Sequence, residues 1–460
     1  MGIFPPTTTL RATGSLSGES KTWLLESPSL YFSPNLERWR AMPHSLVSYC
    51  STTATHSSHR PRATWVVTLA VLCVASLASS SWAASMKVLH SFKDGFVPQA
   101  GLVSDAAGNL YGTTSGGGVY DKGTVFELTL KANGRWTEKV LLSFHGAHGA
   151  LPRSSLIFDA SGNLYGTTYG GGKQTCSSGC GTVFKLSPKA GGAWTEQVLY
   201  RFKGSVTDGS GPEAVLIFDG SGSIYGTTTS GGTAGVGTVF ELTPRSGSWT
   251  EKVVYSFLDG GRPYGGLVLD AAGILYGTTG SGGSYGYGAV FKLTPKAGGR
   301  WAEKVIHSFN RTDGYLPLSG LTFDDSGNLY GTTFGGGAYG YGTVFELTPK
   351  TGGGWTENVL QSFSYLDGSG PAGSLIFDAA GNLYGTTYSG GSGDCQYGCG
   401  TVFELAPLGG GVWTEFLLVD FQDTADPAAN VILGSWGELY GTTSHGGNYG
   451  GGSVFETTSQ

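Results

Sequence analysis

The chain has 460 residues, 80 of them glycine; 13% are charged, 39% hydrophobic and 12% aromatic. That is too apolar for a disordered chain, and glycine follows no three-residue period, which excludes collagen. Net charge is −6, and residues 84–460 alone carry 21 basic against 30 acidic side chains, so no basic stripe is present to neutralise phosphates and nucleic-acid binding is not expected.

Residues 1–58 are rich in Ser, Thr and Pro and match nothing downstream, so they read as a disordered or mis-assigned N-terminal extension, with Met42 as a candidate later start. Residues 59–83 read as a secretory signal. The basic stretch His59–Arg62 precedes an apolar core from Trp65 to Ala78, and Ser81 and Ala83 have the spacing of a signal-peptidase site. The core is short for a membrane span, although an uncleaved signal-anchor would look similar. No integral membrane span is expected once the signal is removed, and the expected location is secreted or extracellular.

Residues 84–460 form a tandem array. Its anchor is Leu/Ile-Tyr-Gly-Thr-Thr, with tyrosines at 111, 165, 225, 276, 330, 384 and 440, spaced 54, 60, 51, 54, 54 and 56 residues apart. Each repeat has four parts: an apolar run ending in Asp-x-x-Gly, the anchor, a Gly-rich loop leading into Gly-Thr-Val-Phe-Glu/Lys-Leu, and Trp-Thr-Glu-x-Val-Leu-x-Ser-Phe. The runs are five to nine residues long, rich in β-branched and aromatic residues and bounded by turn formers. Four strands in each of seven repeats predict an all-β, seven-bladed β-propeller.

The seventh repeat lacks its Trp-Thr-Glu strand, while Lys87–Phe92 aligns with Lys139–Phe144. The N-terminal strand is therefore expected to complete the last blade and close the ring. The Asp-ended runs, uncharged before their last residue, are expected innermost and buried on both faces. The Trp strands, carrying Glu138 and Lys139 or Glu303 and Lys304, are expected at a solvated outer edge. This order puts the Gly-rich loops and the inter-blade connections on one rim.

The recurring Asp159, Asp219, Asp270, Asp324 and Asp378 are read as closing Asx-turns rather than holding calcium. The Thr-Thr pairs are read as a polar cross-strand ladder, and the anchor tyrosines as inter-blade packing. Cys176 with Cys180 and Cys395 with Cys399 are expected to form two local disulfides, about 2 kcal/mol each by loop entropy. Cys50 and Cys73 fall in the segment expected to be removed. His90 and His307 are assigned surface roles on outer strands, and His145, His148 and His445 fall on the loop rim without a nucleophile motif. No catalytic residue, metal site or cofactor is assigned. Carboxylate chemistry from Asp208, Asp259, Asp313 and Asp367 on the same rim stays open as an alternative.

The loop aromatics are the candidate ligand-binding residues: Tyr120, Tyr169, Tyr285, Tyr287, Phe334, Tyr339, Tyr341, Tyr388, Tyr397 and Tyr449. Rings among glycines suit recognition, and tyrosines can stack on sugars. Packing between loops is the competing reading.

The Asn-Leu-Tyr-Gly-Thr-Thr and Gly-Thr-Val-Phe-Glu-Leu signatures resemble the bacterial Gloeobacter/Verrucomicrobia (GloVer) repeat over about residues 87–460. The resemblance implies an exported bacterial repeat protein and carries over no catalytic residues. Members often add a C-terminal surface anchor; here the last repeat runs to Gln460, so release is expected. The function expected is a secreted binding module for extracellular or cell-wall glycan, or for a surface protein. The alternatives are a structural or protein-interaction scaffold and a polysaccharide-active enzyme.

Overall fold

Blade one runs outward as Val103–Ser104, Leu110–Thr114, Thr124–Leu130 and Trp136–Ser143, each strand antiparallel to the next. Five more four-stranded sheets repeat this order, and a seventh is completed from the other end of the array. The structure is a computed structural model that describes residues 86–458 apart from 94, 396, 397 and 424. The expectations for residues 1–58 and 59–83, and for Tyr397, lie outside those residues. The described residues contain no helix, hence none long and apolar enough to cross a membrane.

The seven sheets form a ring, a seven-bladed β-propeller. Strand Lys87–Lys93 pairs with Gly450–Thr458 in blade seven, with Lys87 opposite Glu456 and Val88 opposite Phe455. The edge that the last repeat would leave open is thereby covered.

The repeat explains the packing. The second strand, Leu-Tyr-Gly-Thr-Thr in blade one, is wholly buried. Its glycine lies under the phenylalanine of the third strand: a Cβ on Gly112 would fall 2.5 Å from the Phe126 ring, and one on Gly166 would fall 2.7 Å from that of Phe184. No larger residue fits there without displacing a core ring.

Three concentric sets of contacts join the blades. At the axis, the first threonine of each anchor donates from its hydroxyl to a carbonyl of the following blade, as Thr278 does to Ser319 at 2.8 Å and Thr442 to Ala100 at 2.9 Å. Farther out, the phenylalanine ending each outer strand meets the third-strand phenylalanine of the next blade edge to face. Phe144–Phe184, Phe309–Phe345 and Phe363–Phe403 all have centroids 5.1 Å apart. Phe92–Phe126 at 5.0 Å and Phe421–Phe455 at 5.3 Å carry this set across the closure. Near the opposite rim, the anchor tyrosine packs on the next blade's tryptophan, as Tyr111 does on Trp194 at 6.2 Å. Such aromatic pairs add roughly 0.5–1.5 kcal/mol each beyond the area they bury.

The turn aspartates act as expected. Asp159 Oδ1 accepts the backbone N–H groups of Ser161 and Asn163, and Oδ2 accepts the Asn163 amide and the Tyr165 hydroxyl. Burial pushes the Asp159 carboxyl up, but these hydrogen bonds outweigh it and hold the group below the usual carboxylate range. The second anchor threonine forms the expected ladder, as in Thr168 Oγ1 to Thr182 Oγ1 at 2.8 Å. Both disulfides, Cys176–Cys180 and Cys395–Cys399, are formed.

The innermost strands need correction. They are paired over only two residues, and Ile217 and Phe218 are half-buried rather than enclosed on both faces. Each side chain packs against a neighbouring blade, Phe218 on Tyr165 and Ile217 in the cluster around Leu275 and Phe291, without being fully enclosed.

Candidate functional site

The face carrying the Gly-rich loops is built twice over. Six of the seven loops are pinched by a short bridge between their own ends, as in Gly282 with Tyr287 and Gly336 with Tyr341. Several also pair with the preceding inter-blade connection, as in Tyr315 with Gly335 and Ser369 with Ser389. At the loop tips, Gly286 and Gly340 adopt positive φ with open space around them, so the neighbouring tyrosine is thrust outward.

This geometry divides the sequence candidates. Tyr120, Tyr285, Tyr339 and Tyr449 occupy one equivalent tip position in blades one, four, five and seven, and are 57%, 60%, 64% and 62% exposed. Tyr341 and Tyr388 are exposed to a lesser degree, and the Tyr341 ring sits 5.3 Å from Tyr365. Tyr169, Tyr287 and Phe334 are half-buried. Tyr169 lies under the Arg153 guanidinium at 4.5 Å, Tyr287 under that of Arg311 at 4.8 Å, and Phe334 packs against Gly370. The structure leaves four rings exposed at loop tips, Tyr120 with an edge contact to His145 at 5.9 Å, and turns three others into loop packing.

Sequence reasoning missed the channel mouth. An axial cavity of about 350 Å³ is lined by residues from all seven blades. The residue after each connection's proline faces it: Gln99, Arg153, Glu213 and Tyr264 in blades one to four, then Leu318, Ala372 and Ala428. One arc is polar and the other apolar. Arg153 Nη1 is 3.2 Å from Glu213 Oε2, and burial pushes the Glu213 carboxyl up despite that partner. Variation at this one position within an otherwise repeated Pro-x-small motif was the available signal. On the opposite face, Trp436 is 90% exposed in a turn where Gly434 replaces the usual aspartate.

Several polar assignments change. His90 and His307 are not surface groups: their side chains are 20% and 17% exposed, beside Glu138 and Asp313 respectively. Outer-strand glutamates turn toward the preceding blade instead of standing in solvent, and Glu138, Glu251 and Glu303 are only half-exposed or less. Asp208 and Asp313 are buried rather than open on the rim, whereas Asp259 is exposed and Asp367 half-buried. His148 Nδ1 meets Glu196 Oε2 at 2.9 Å with His145 nearby, and His307, Asp313 and Glu357 form a second His/carboxylate group. His445 pairs with Asp426 at 3.0 Å.

Glu251 and Glu415 show what this burial does. Desolvation, with the nearby Asp208, pushes Glu251 up to about 7; desolvation with Asp367 pushes Glu415 up to about 8. Folding therefore favours their protonated forms, so the stability they contribute is present below the ordinary glutamate range and is lost as pH rises through 7–8. The melting temperature is expected to fall between pH 6 and pH 8.5. Glu415→Gln, which keeps the protonated shape, should raise it at pH 8.5 and flatten the slope; a steeper slope in scanning calorimetry would refute the assignment.

The Gloeobacter/Verrucomicrobia repeat profile matches residues 76–196, 177–325 and 299–460. The chain belongs to the Gloeobacter/Verrucomicrobia repeat family. No curated protein matches it. Among solved structures, it is similar to the extracellular domain of a Bacteroides thetaiotaomicron protein described as a one-component system, with TM-score 0.50 and 12% identity over 82% of this chain and 41% of that one. The extracellular domain of a protein described as a hybrid two-component system from the same organism gives 0.49 and 13%, with the same coverages. A Bacteroides uniformis protein described as a 6-phosphogluconolactonase gives 0.47 and 13%, over 72% of this chain and 88% of that one. This repeat-family chain thus spans under half the length of the first two, and the likeness shows fold alone.

Proposed function

We propose that this member of the repeat family is an exported binding module that uses its loop face, and that its ligand is extracellular or cell-wall glycan. The observation that carries the reading is the set of four equivalent loop-tip tyrosines, Tyr120, Tyr285, Tyr339 and Tyr449, each more than half exposed beside glycine-rich backbone. A flat ring with a hydroxyl tip stacks on the apolar face of a sugar and donates to its hydroxyls. Two disulfides support export, since such bonds persist in oxidising compartments. Glycan-array binding tests the reading. The fourfold Tyr120/Tyr285/Tyr339/Tyr449→Ala variant is expected to lose at least about tenfold in affinity at an unchanged melting temperature, the cost of about 1.4 kcal/mol of stacking. Unchanged binding in the variant would refute it.

The scaffold reading has its own support in Tyr169, Tyr287 and Phe334, which stiffen the loops by packing. Absence of any glycan binding, with capture of a surface protein by the same face, would favour it.

A further inference from the structure

We propose that His307, Asp313 and Glu357 form a binding site for a divalent transition-metal ion of the zinc class, set between blades four and five. His307 stands on the outer strand Arg300–Ser308 of blade four, Asp313 in the connection that follows, and Glu357 on the outer strand Trp355–Ser362 of blade five. One ligand atom from each lies within 4.8 Å of the other two.

The spacing of the atoms also fits two ligands on one ion. His307 Nε2 and Asp313 Oδ2 face one another at 3.3 Å. Ligand atoms on a tetrahedral zinc, with bonds of about 2.0–2.1 Å, stand about 3.3 Å apart. His307 Nε2 and Glu357 Oε1 are both sealed from solvent, and neither has a hydrogen-bond partner. The glutamate oxygen is unpartnered likewise at Glu138, Glu196, Glu251 and Glu415, and His90 Nε2 beside Glu138 is too, so what sets this place apart is an imidazole nitrogen facing two carboxylates. A change of rotamer at Glu357 would bring the third ligand atom in to close the set.

The surroundings hold the donors in position. Asp313 Oδ1 accepts the Asn310 backbone N–H at 2.9 Å, which leaves Oδ2 directed at the imidazole. The His307 ring is set by an edge contact with Phe309 at 4.7 Å. One nitrogen and two carboxylate oxygens suit zinc or manganese better than calcium, which prefers an all-oxygen shell.

Equivalent places at other interfaces show the alternative the chain uses where no imidazole is present. Between blades two and three, the Tyr200 hydroxyl donates to Asp208 at 3.0 Å. Between blades five and six, the Gln361 amide donates to Asp367 and to Glu415. There a fixed donor engages the connection's aspartate, although Glu251 Oε1 and Glu415 Oε1 stay without a partner. Among the described residues, only the interface of blades four and five sets an imidazole against two carboxylates.

Zinc titration by calorimetry tests the site, in the His145→Ala/His148→Ala background so that the other histidine pair contributes nothing. The expected result is one saturable site of micromolar or better affinity and a zinc-dependent rise in melting temperature. His307→Gln installs the side chain that blade five carries at the matching position, and Glu357→Gln keeps the carboxylate's shape. Each is expected to weaken zinc binding at least tenfold and abolish the thermal shift, with a metal-free melt no lower than the parent's. Absence of saturable binding in the parent background, or either variant binding zinc as tightly as the parent, would overturn the proposal and leave the cluster as an internal contact.

Discussion

Deletion of residues 84–92 is expected to lower the melting temperature by roughly 10 °C or more, or to leave the protein insoluble. The deletion removes the partner of Gly450–Thr458 and exposes an unpaired edge to other chains. It also removes Phe92, which is 1% exposed and bridges to Phe126. Loss of such a ring alone costs about 3–5 kcal/mol. Calorimetry on the truncated chain decides the matter; a melt equal to the parent's would mean that closure contributes no stability.

Phe345→Ala carries the second large effect. Phe345 is fully buried, meets Phe309 at 5.1 Å and fills the space above Gly331. Truncation leaves a cavity at the junction of two blades, so about 3–5 kcal/mol of destabilisation is expected, read from the urea midpoint. Phe345→Leu should cost distinctly less. A pair of variants with equal midpoints would show that blade contacts, not this ring, hold the interface.

Much of the architecture was legible because the strand pattern and turn chemistry recur from repeat to repeat, and the seventh departs from them only at its ends and its turn. The closure was legible too, since Lys87–Phe92 matches an internal strand that the final repeat lacks. The candidate site was less so. Tyr285 and Tyr287 are two residues apart and look equivalent in sequence, yet one stands free while the other is held beneath Arg311, which comes from a connection beyond the next strand pair. The exposure of a loop ring depends on what the neighbouring connection places over it, and the repeat pattern does not encode that. The histidine on an outer strand was misjudged for a related reason. Its surroundings are set by Glu357, fifty residues on in the next blade, not by its own strand. Consensus positions report what every blade needs, and the chemistry lies at positions where the blades differ.

The pairing of Lys87–Lys93 with Gly450–Thr458 also fixes an order in time. The first strand of the array to emerge during synthesis has no seat until the last strand has followed it, so the ring cannot lock while the chain is still being made. Contacts of such long sequence separation form slowly and late. Each earlier blade can assemble from consecutive segments, but the circle closes only once the whole array has been made.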